Sequence, residues 1–145
     1  MSIFPAKILL AIDGSEESVL AARTAADLTD KTDSELHMVH VGEVPFFYHP
    51  EMHDYKVHDN ESEEEAQQLL ADVRKVVEAA GESVHETHLC MGRPDEEVVA
   101  LAEKLEADLI VIGCRGFGGM SRALIGSVSD SVVRHAHCPV MVVRH

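Results

Sequence analysis

A chain of 145 residues, 46% hydrophobic and 26% charged, has the length and balance of one globular domain spanning residues 1–145. Its 26 Asp and Glu against 12 Lys and Arg give a formal net charge of −14, which repels nucleic acid and anionic membrane, so an anionic ligand needs a local pocket that overrides the global field. The same acid excess suits either plain solubility or a salt-rich surrounding, where carboxylates keep a surface hydrated.

Lys7 to Ile12 is a continuous apolar run closed by Asp13-Gly14-Ser15, the signature of a buried strand and a turn. Ser15 can cap a helix whose first turn carries Glu16 and Glu17, and an alanine-rich amphipathic pattern runs to about Thr29 before a polar loop from Asp30 to Ser34. Leu36 to Val41 reads as a second strand holding His37 and His40. From Gly42 to about Asn60 the chain is irregular and rich in aromatic residues, long enough to be a lid or an interface arm. Ser62-Glu63-Glu64-Glu65 matches a capping box, and Ala66, Leu69, Leu70, Val73, Val76, Val77 and Ala80 then recur at helical spacing until Gly81.

Val84 to Met91 alternates, which predicts a strand with one wetter face at a sheet edge. Gly92 to Glu97 turns into a helix with Pro94 in its first turn and Val98, Leu101, Ala102 and Leu105 on its apolar face. Leu109 to Ile112 carries no charge and predicts a strand covered on both faces. A glycine loop follows, then a helix from about Ser127 to His135, then a short strand from Pro139 to Val143. The alternation β-α-β-α-β-α-β-α-β demands right-handed crossovers and a doubly wound parallel sheet with helices on both faces.

Cys90, Cys114 and Cys138 are odd in number and widely spaced, which fits a reducing compartment rather than a disulfide scaffold. The first apolar run is too short for a signal segment, and none approaches the ~18–20 residues that span a bilayer, so a cytoplasmic protein without membrane insertion is expected.

The chemistry concentrates at the carboxyl ends of two strands. Gly113-x2-Gly116-x9-Gly126-Ser127, with a second hydroxyl at Ser129, is a loop and helix start whose backbone N–H groups suit an anion. By spacing alone it equally fits a tight loop and a helix cap. It lacks the Lys-Ser/Thr of a P-loop and the G-x-G-x-x-G fingerprint, and Arg115 and Arg122 are its only cations. In doubly wound sheets ligands bind where the winding reverses, so if the first and fourth strands are neighbours, Asp13 faces this loop across one crevice. Asp13 can also be a simple turn former. His49, His53 and His58, with Glu51, Asp54 and Asp59, offer metal-ligand chemistry without a spacing of fixed geometry, so solvated loop residues are the expectation there. Cys114 reads as a small buried residue.

These segments, with Ala11-Ile12-Asp13-Gly14-Ser15, Ala107 to Gly113, and His137-Cys138-Pro139-Val140-Met141-Val142-Val143, resemble the universal stress protein (UspA-like) family in four places and in order. The glycine motif is that of its ATP-binding branch. The resemblance implies a five-stranded parallel sheet in the order 3-2-1-4-5. It implies Asp13 near the ribose, main-chain atoms of Val41 beside the adenine, and Gly113, Gly116, Gly126, Ser127, Val128 and Ser129 around the phosphates of ATP, with Mg²⁺. Ala11 and Ile12, at the end of the first strand, and Arg115, in the loop, complete the set. Ala11 stands where the family usually has Pro or Val, a departure confined to the adenine wall. The family also pairs its terminal strands, which implies a homodimer through residues 139–143. The implied role is an ATP-binding regulatory module of the stress response, with osmotic stress or a transporter client as candidate contexts. No nucleophile–base pair is visible, so an enzyme is not expected beyond slow ATP hydrolysis; the alternative is an ATP-cleaving transferase with residues 42–60 as its lid. A phospho-receiver reading fails because Met91-Gly92 and Arg144-His145 stand where its acid and lysine belong.

Overall fold

The computed structural model describes residues 6–42, 63–114 and 126–144. Its elements run β1 (Lys7–Ile12), α1 (Glu16–Thr32), β2 (Glu35–Gly42), α2 (Glu63–Ala79), β3 (Glu86–Met91), α3 (Pro94–Leu105), β4 (Leu109–Gly113), α4 (Ser127–His135) and β5 (Val140–Val143). The strands form one five-stranded sheet in the order β3-β2-β1-β4-β5, and every pairing is parallel. The expected topology is therefore the observed one, with β1 and β4 side by side and β3 at an edge.

Strand alternation divides the core into two layers. Ile8, Leu10 and Ile12 of β1, Leu36 and Met38 of β2 and Val111 of β4 face α1 and α2, where Ala21, Ala22, Ala25, Ala26, Leu70, Val73 and Val77 close over them. Leu9, Ala11, Val39, Val41, Ile110 and Ile112 face the opposite side, against Val98 and Ala102 of α3 and Val132 of α4. Each fully buried Leu, Ile or Val contributes ~1.5–3 kcal/mol relative to exposure, so β1 and β4, apolar on both faces, anchor the fold. The alanine stripe of α1 keeps that helix close to the sheet.

Several boundaries differ from the sequence reading, among them β3, which begins at Glu86 rather than Val84. Helix α1 runs to Thr32, a turn beyond Thr29, and the polar residues assigned to a loop continue the helix. The Thr32 hydroxyl donates to the Leu28 carbonyl, and Asp33, left-handed at φ 53°, sends its N–H to the Thr29 carbonyl, which ends the helix without glycine. Gly42 belongs to β2, where it lies opposite Met91, rather than to the irregular stretch. The rest of that stretch, 43–60, and Ser62 of the capping box lie outside the described residues.

Candidate functional site

The crevice is built from backbone. Register places Ala11 beside Ile112, so the chain leaves β1 at Asp13 and β4 at Gly113–Cys114 from adjacent positions on one end of the sheet. Asp13 is exposed and folds the first exit: its Oδ1 accepts from the Ser15 N–H at 2.9 Å and from the Ser15 hydroxyl at 2.5 Å. Gly14 between them is left-handed at φ 86°, a conformation that suits glycine. Ser15 then caps α1, its Oγ accepting from the Ser18 N–H at 3.2 Å.

Gly113 has a structural reason that spacing does not reveal. A Cβ there would lie 2.7 Å from the backbone carbon and oxygen of Glu17 and 2.9 Å from the Ser18 nitrogen. Glycine thus lets the amino end of α1 press against the end of β4, bringing the positive end of that helix to the crevice. Cys114 is buried, and its N–H donates to the Val143 carbonyl at 2.8 Å, prolonging the β4–β5 pairing.

On the far side, α4 starts without a side-chain cap, because its N-cap is Gly126 at φ −58° and ψ 152°. The first intrahelical bond of that turn runs from the Asp130 N–H to the Gly126 carbonyl, so Ser127, Val128 and Ser129 form the opening turn, where N–H groups point outward along the axis. Ser127 is exposed and Val128 half-buried. Ser129 is 2% exposed, and its hydroxyl donates to the Gly126 carbonyl at 3.0 Å, so it fastens the helix start from within. Arg115 and Gly116 lie outside the described residues.

Val41 and Ala11 are buried on the face that carries α3 and α4, at the carboxyl ends of β2 and β1. Ile12 points to the other layer. The structure adds His40, which the sequence reading placed in a strand without a role. It is 5% exposed, and its Nδ1 donates to the Ile12 carbonyl at 3.0 Å, fixing the last residue of β1 against β2 just before Asp13. Helices α3 and α4 are also joined near the site: the Ser131 hydroxyl donates to Asp95 Oδ2 at 2.7 Å. Burial raises the Asp95 pKa, but the Ser131 hydroxyl, the Glu96 N–H and the Arg93 guanidinium outweigh it and hold the carboxyl below its usual range.

The opposite end of the sheet has a different chemistry. An open depression of about 650 Å³ beside β4 and β5 is lined by Glu103, Glu106, Asp108 and His137 among others, an acidic lining unsuited to a nucleotide. At the start of β2 and β3, two imidazole nitrogens converge on one carboxylate oxygen. His37 Nε2 lies 2.7 Å and His85 Nε2 3.2 Å from Glu35 Oε1. His37 Nδ1 stands 3.3 Å from His88 Nε2. The hydrogen bond from His37 lowers the Glu35 pKa against a modest burial penalty, with the charges of His85 and Lys7 assisting. Burial lowers the His88 pKa, against the opposing charge of Glu86.

Comparison with known proteins places the chain in a clear context. The profile of the universal stress protein family matches residues 6–144. The sequence is 39% identical over 139 residues to universal stress protein MJ0531 of Methanocaldococcus jannaschii, covering 95% of this chain and 81% of that one. It is 36% identical over 138 residues to a putative universal stress protein of Staphylococcus aureus strain USA300, covering 94% and 82%. Among solved structures, the hypothetical protein MJ0577 superposes with a TM-score of 0.74 at 25% identity, covering 99% of this chain and 98% of that one. A universal stress protein in complex with cAMP gives 0.70 at 23% identity, covering 97% of both chains. An Archaeoglobus fulgidus universal stress protein in complex with dAMP gives 0.69 at 23% identity, covering 97% and 99%. The last two likenesses speak to the fold.

Proposed function

The chain belongs to the universal stress protein family, and from that premise we propose that it is a nucleotide-binding regulatory module that holds ATP in the crevice between the ends of β1 and β4. The observation that carries this reading is the helix start at Gly126–Ser129, a turn of backbone N–H groups opened by a residue with no side chain; the amino end of α1, pressed against Gly113, adds a second positive helix end at the carboxyl end of the sheet. Solved relatives of the same fold carry adenine nucleotides, cAMP in one and dAMP in another, which supports the ligand class.

Each part of the nucleotide then has a place. Phosphate oxygens accept from the N–H groups of Ser127, Val128 and Ser129, with Gly113, Arg115 and Gly116 on the loop side. Asp13 accepts from the ribose hydroxyls while its Oδ1 keeps the turn at Ser15. The adenine lies against Ala11 and the main chain of Ile12 and Val41. Magnesium would accompany the phosphates and supply charge neutralisation there; among the described residues the exposed Ser127 hydroxyl is a side-chain oxygen that could help hold it. When bound, the ion neutralises phosphate charge that the acidic surface otherwise repels.

The module works by holding rather than consuming ATP. Bound nucleotide biases surfaces near the crevice through its differential affinity for two arrangements. Residues 1–145 act as one domain, and β5, whose single partner among the described strands is β4, pairs with a second copy through residues 139–143. Met141, 36% exposed on that edge, supports the homodimer, since an uncovered apolar edge is a liability for a lone chain. The acid-rich surface supports a role in salt or osmotic stress, with an osmolyte transporter as the client class. Titrating Mg-ATP into the full chain by calorimetry tests the reading: saturable one-to-one binding is expected, and no heat up to millimolar ATP overturns it.

A further inference from the structure

We propose that Glu35, His37 and His85 form a zinc(II) site at the amino end of the β2–β3 edge, at the opposite end of the strands from the nucleotide crevice. Alternation and register assemble it. Glu35 and His37 are two apart on β2 and share a face, the one that also carries Val39 and Val41. His85 sits just before β3, fixed by its own N–H, which donates to the Leu36 carbonyl at 2.7 Å. Parallel pairing sets Glu86 beside His37 and His88 beside Val39, so His88 rises on the same face.

The donor set suits a borderline divalent ion. Tetrahedral zinc ligands at about 2.0–2.1 Å from the metal lie roughly 3.3 Å from one another. Here Glu35 Oε1 lies 2.7 Å from His37 Nε2 and 3.2 Å from His85 Nε2, a small side-chain adjustment from that spacing. Imidazole and carboxylate together favour zinc over magnesium or calcium, which prefer all-oxygen shells. The outer contact is also present. A zinc-bound His37 keeps Nδ1–H to donate, and His88 Nε2 stands 3.3 Å away to accept it.

Exposure supplies an anchor and an entry. The His37 side chain is 4% exposed, held rigid in the sheet, whereas those of His85 and Glu35 are 58% and 35% exposed. The ion enters from solvent, and water completes its coordination. The cations that bear on the cluster are Lys7, on Glu35, and Lys104, on His88. Zinc would tie β3, the outermost strand, to β2 by a link that backbone pairing does not provide.

The test uses the full, untagged, metal-free chain titrated with Zn²⁺ against a chromophoric chelator, with Co²⁺ as a spectroscopic probe. One zinc per chain and visible bands of four-coordinate cobalt are expected. His85→Ala, at an exposed position, should weaken binding by about tenfold to a hundredfold or more with an unchanged urea midpoint. His49→Ala/His53→Ala/His58→Ala should bind as the parent does. No stoichiometric zinc, wild-type affinity in His85→Ala, or loss of the site in the triple variant would overturn the proposal.

Discussion

The two ends of the sheet carry polar chemistry of opposite kinds. At the carboxyl end the groups are main-chain: helix starts, a left-handed glycine, a carbonyl held by His40, with Asp13 folded into the turn. At the amino end they are side-chain: imidazoles and a carboxylate from β2 and the start of β3, set by register. Backbone donors suit an anion and tolerate many sequences, provided glycine allows close approach. Imidazole nitrogens suit a cation, and only particular residues supply them. On the two proposals above, one sheet would separate two ligand classes across its length.

Substitutions that act on one end only sharpen this contrast. The largest effect is expected at Gly113→Val, where the new side chain meets the Glu17 and Ser18 backbone. Overpacking there should destabilise the fold by ~1–3 kcal/mol, read as a lower urea midpoint, and should weaken nucleotide binding by shifting α1. His40→Leu comes next. It removes the donor to the buried Ile12 carbonyl, which costs about 1–3 kcal/mol and should loosen ATP more than zinc.

Gly126→Val tests the cradle with less cost to folding, because φ −58° is open to any residue. A branched side chain at the helix start should reduce ATP affinity by about tenfold, ~1.4 kcal/mol, with zinc titration unchanged. An unaltered ATP affinity would remove the phosphates from this helix.

The smallest effect concerns acid stability. The Asp95 carboxyl titrates below the ordinary aspartate range in the fold, so the unfolded chain binds its proton first as pH falls. Its contribution is present above the unfolded value and is lost as pH drops through the folded one. Ser131→Ala, which removes the hydroxyl donor, should therefore lower stability modestly at neutral pH, flatten its fall in acid, and match the parent once the carboxyl is protonated below about pH 4, as chemical denaturation across pH can show.

How far each end could be read from sequence follows from this contrast. Strand β4 and the helix at Ser127–His135 were legible because uninterrupted apolar runs and helical periodicity are local signals. Two contiguous motifs, Asp13-Gly14-Ser15 and the run ending at Gly113, were legible, and their adjacency follows from the strand order. The close approach of Gly113 to Glu17 was not, since it depends on how α1 leans on the sheet. The end of α1 was misplaced because a left-handed Asp33 does the work usually expected of glycine. The histidine cluster escaped for a related reason. His49, His53 and His58, which lie outside the described residues, are close in sequence, whereas His37 and His85 meet only across strands. Glu-x-His in one strand and His-Glu-x-His entering its neighbour is the pattern that could have marked it.

The central claim, nucleotide at the carboxyl end, is tested most directly by backbone amide shifts of the labelled chain titrated with Mg-ATP. The account predicts saturable shifts at Asp13, Val41 and Ser127–Ser129, with Leu36, His37 and Asp108 unmoved. Shifts centred on Glu35, His85 and Asp108, or none at the start of α4, would contradict it.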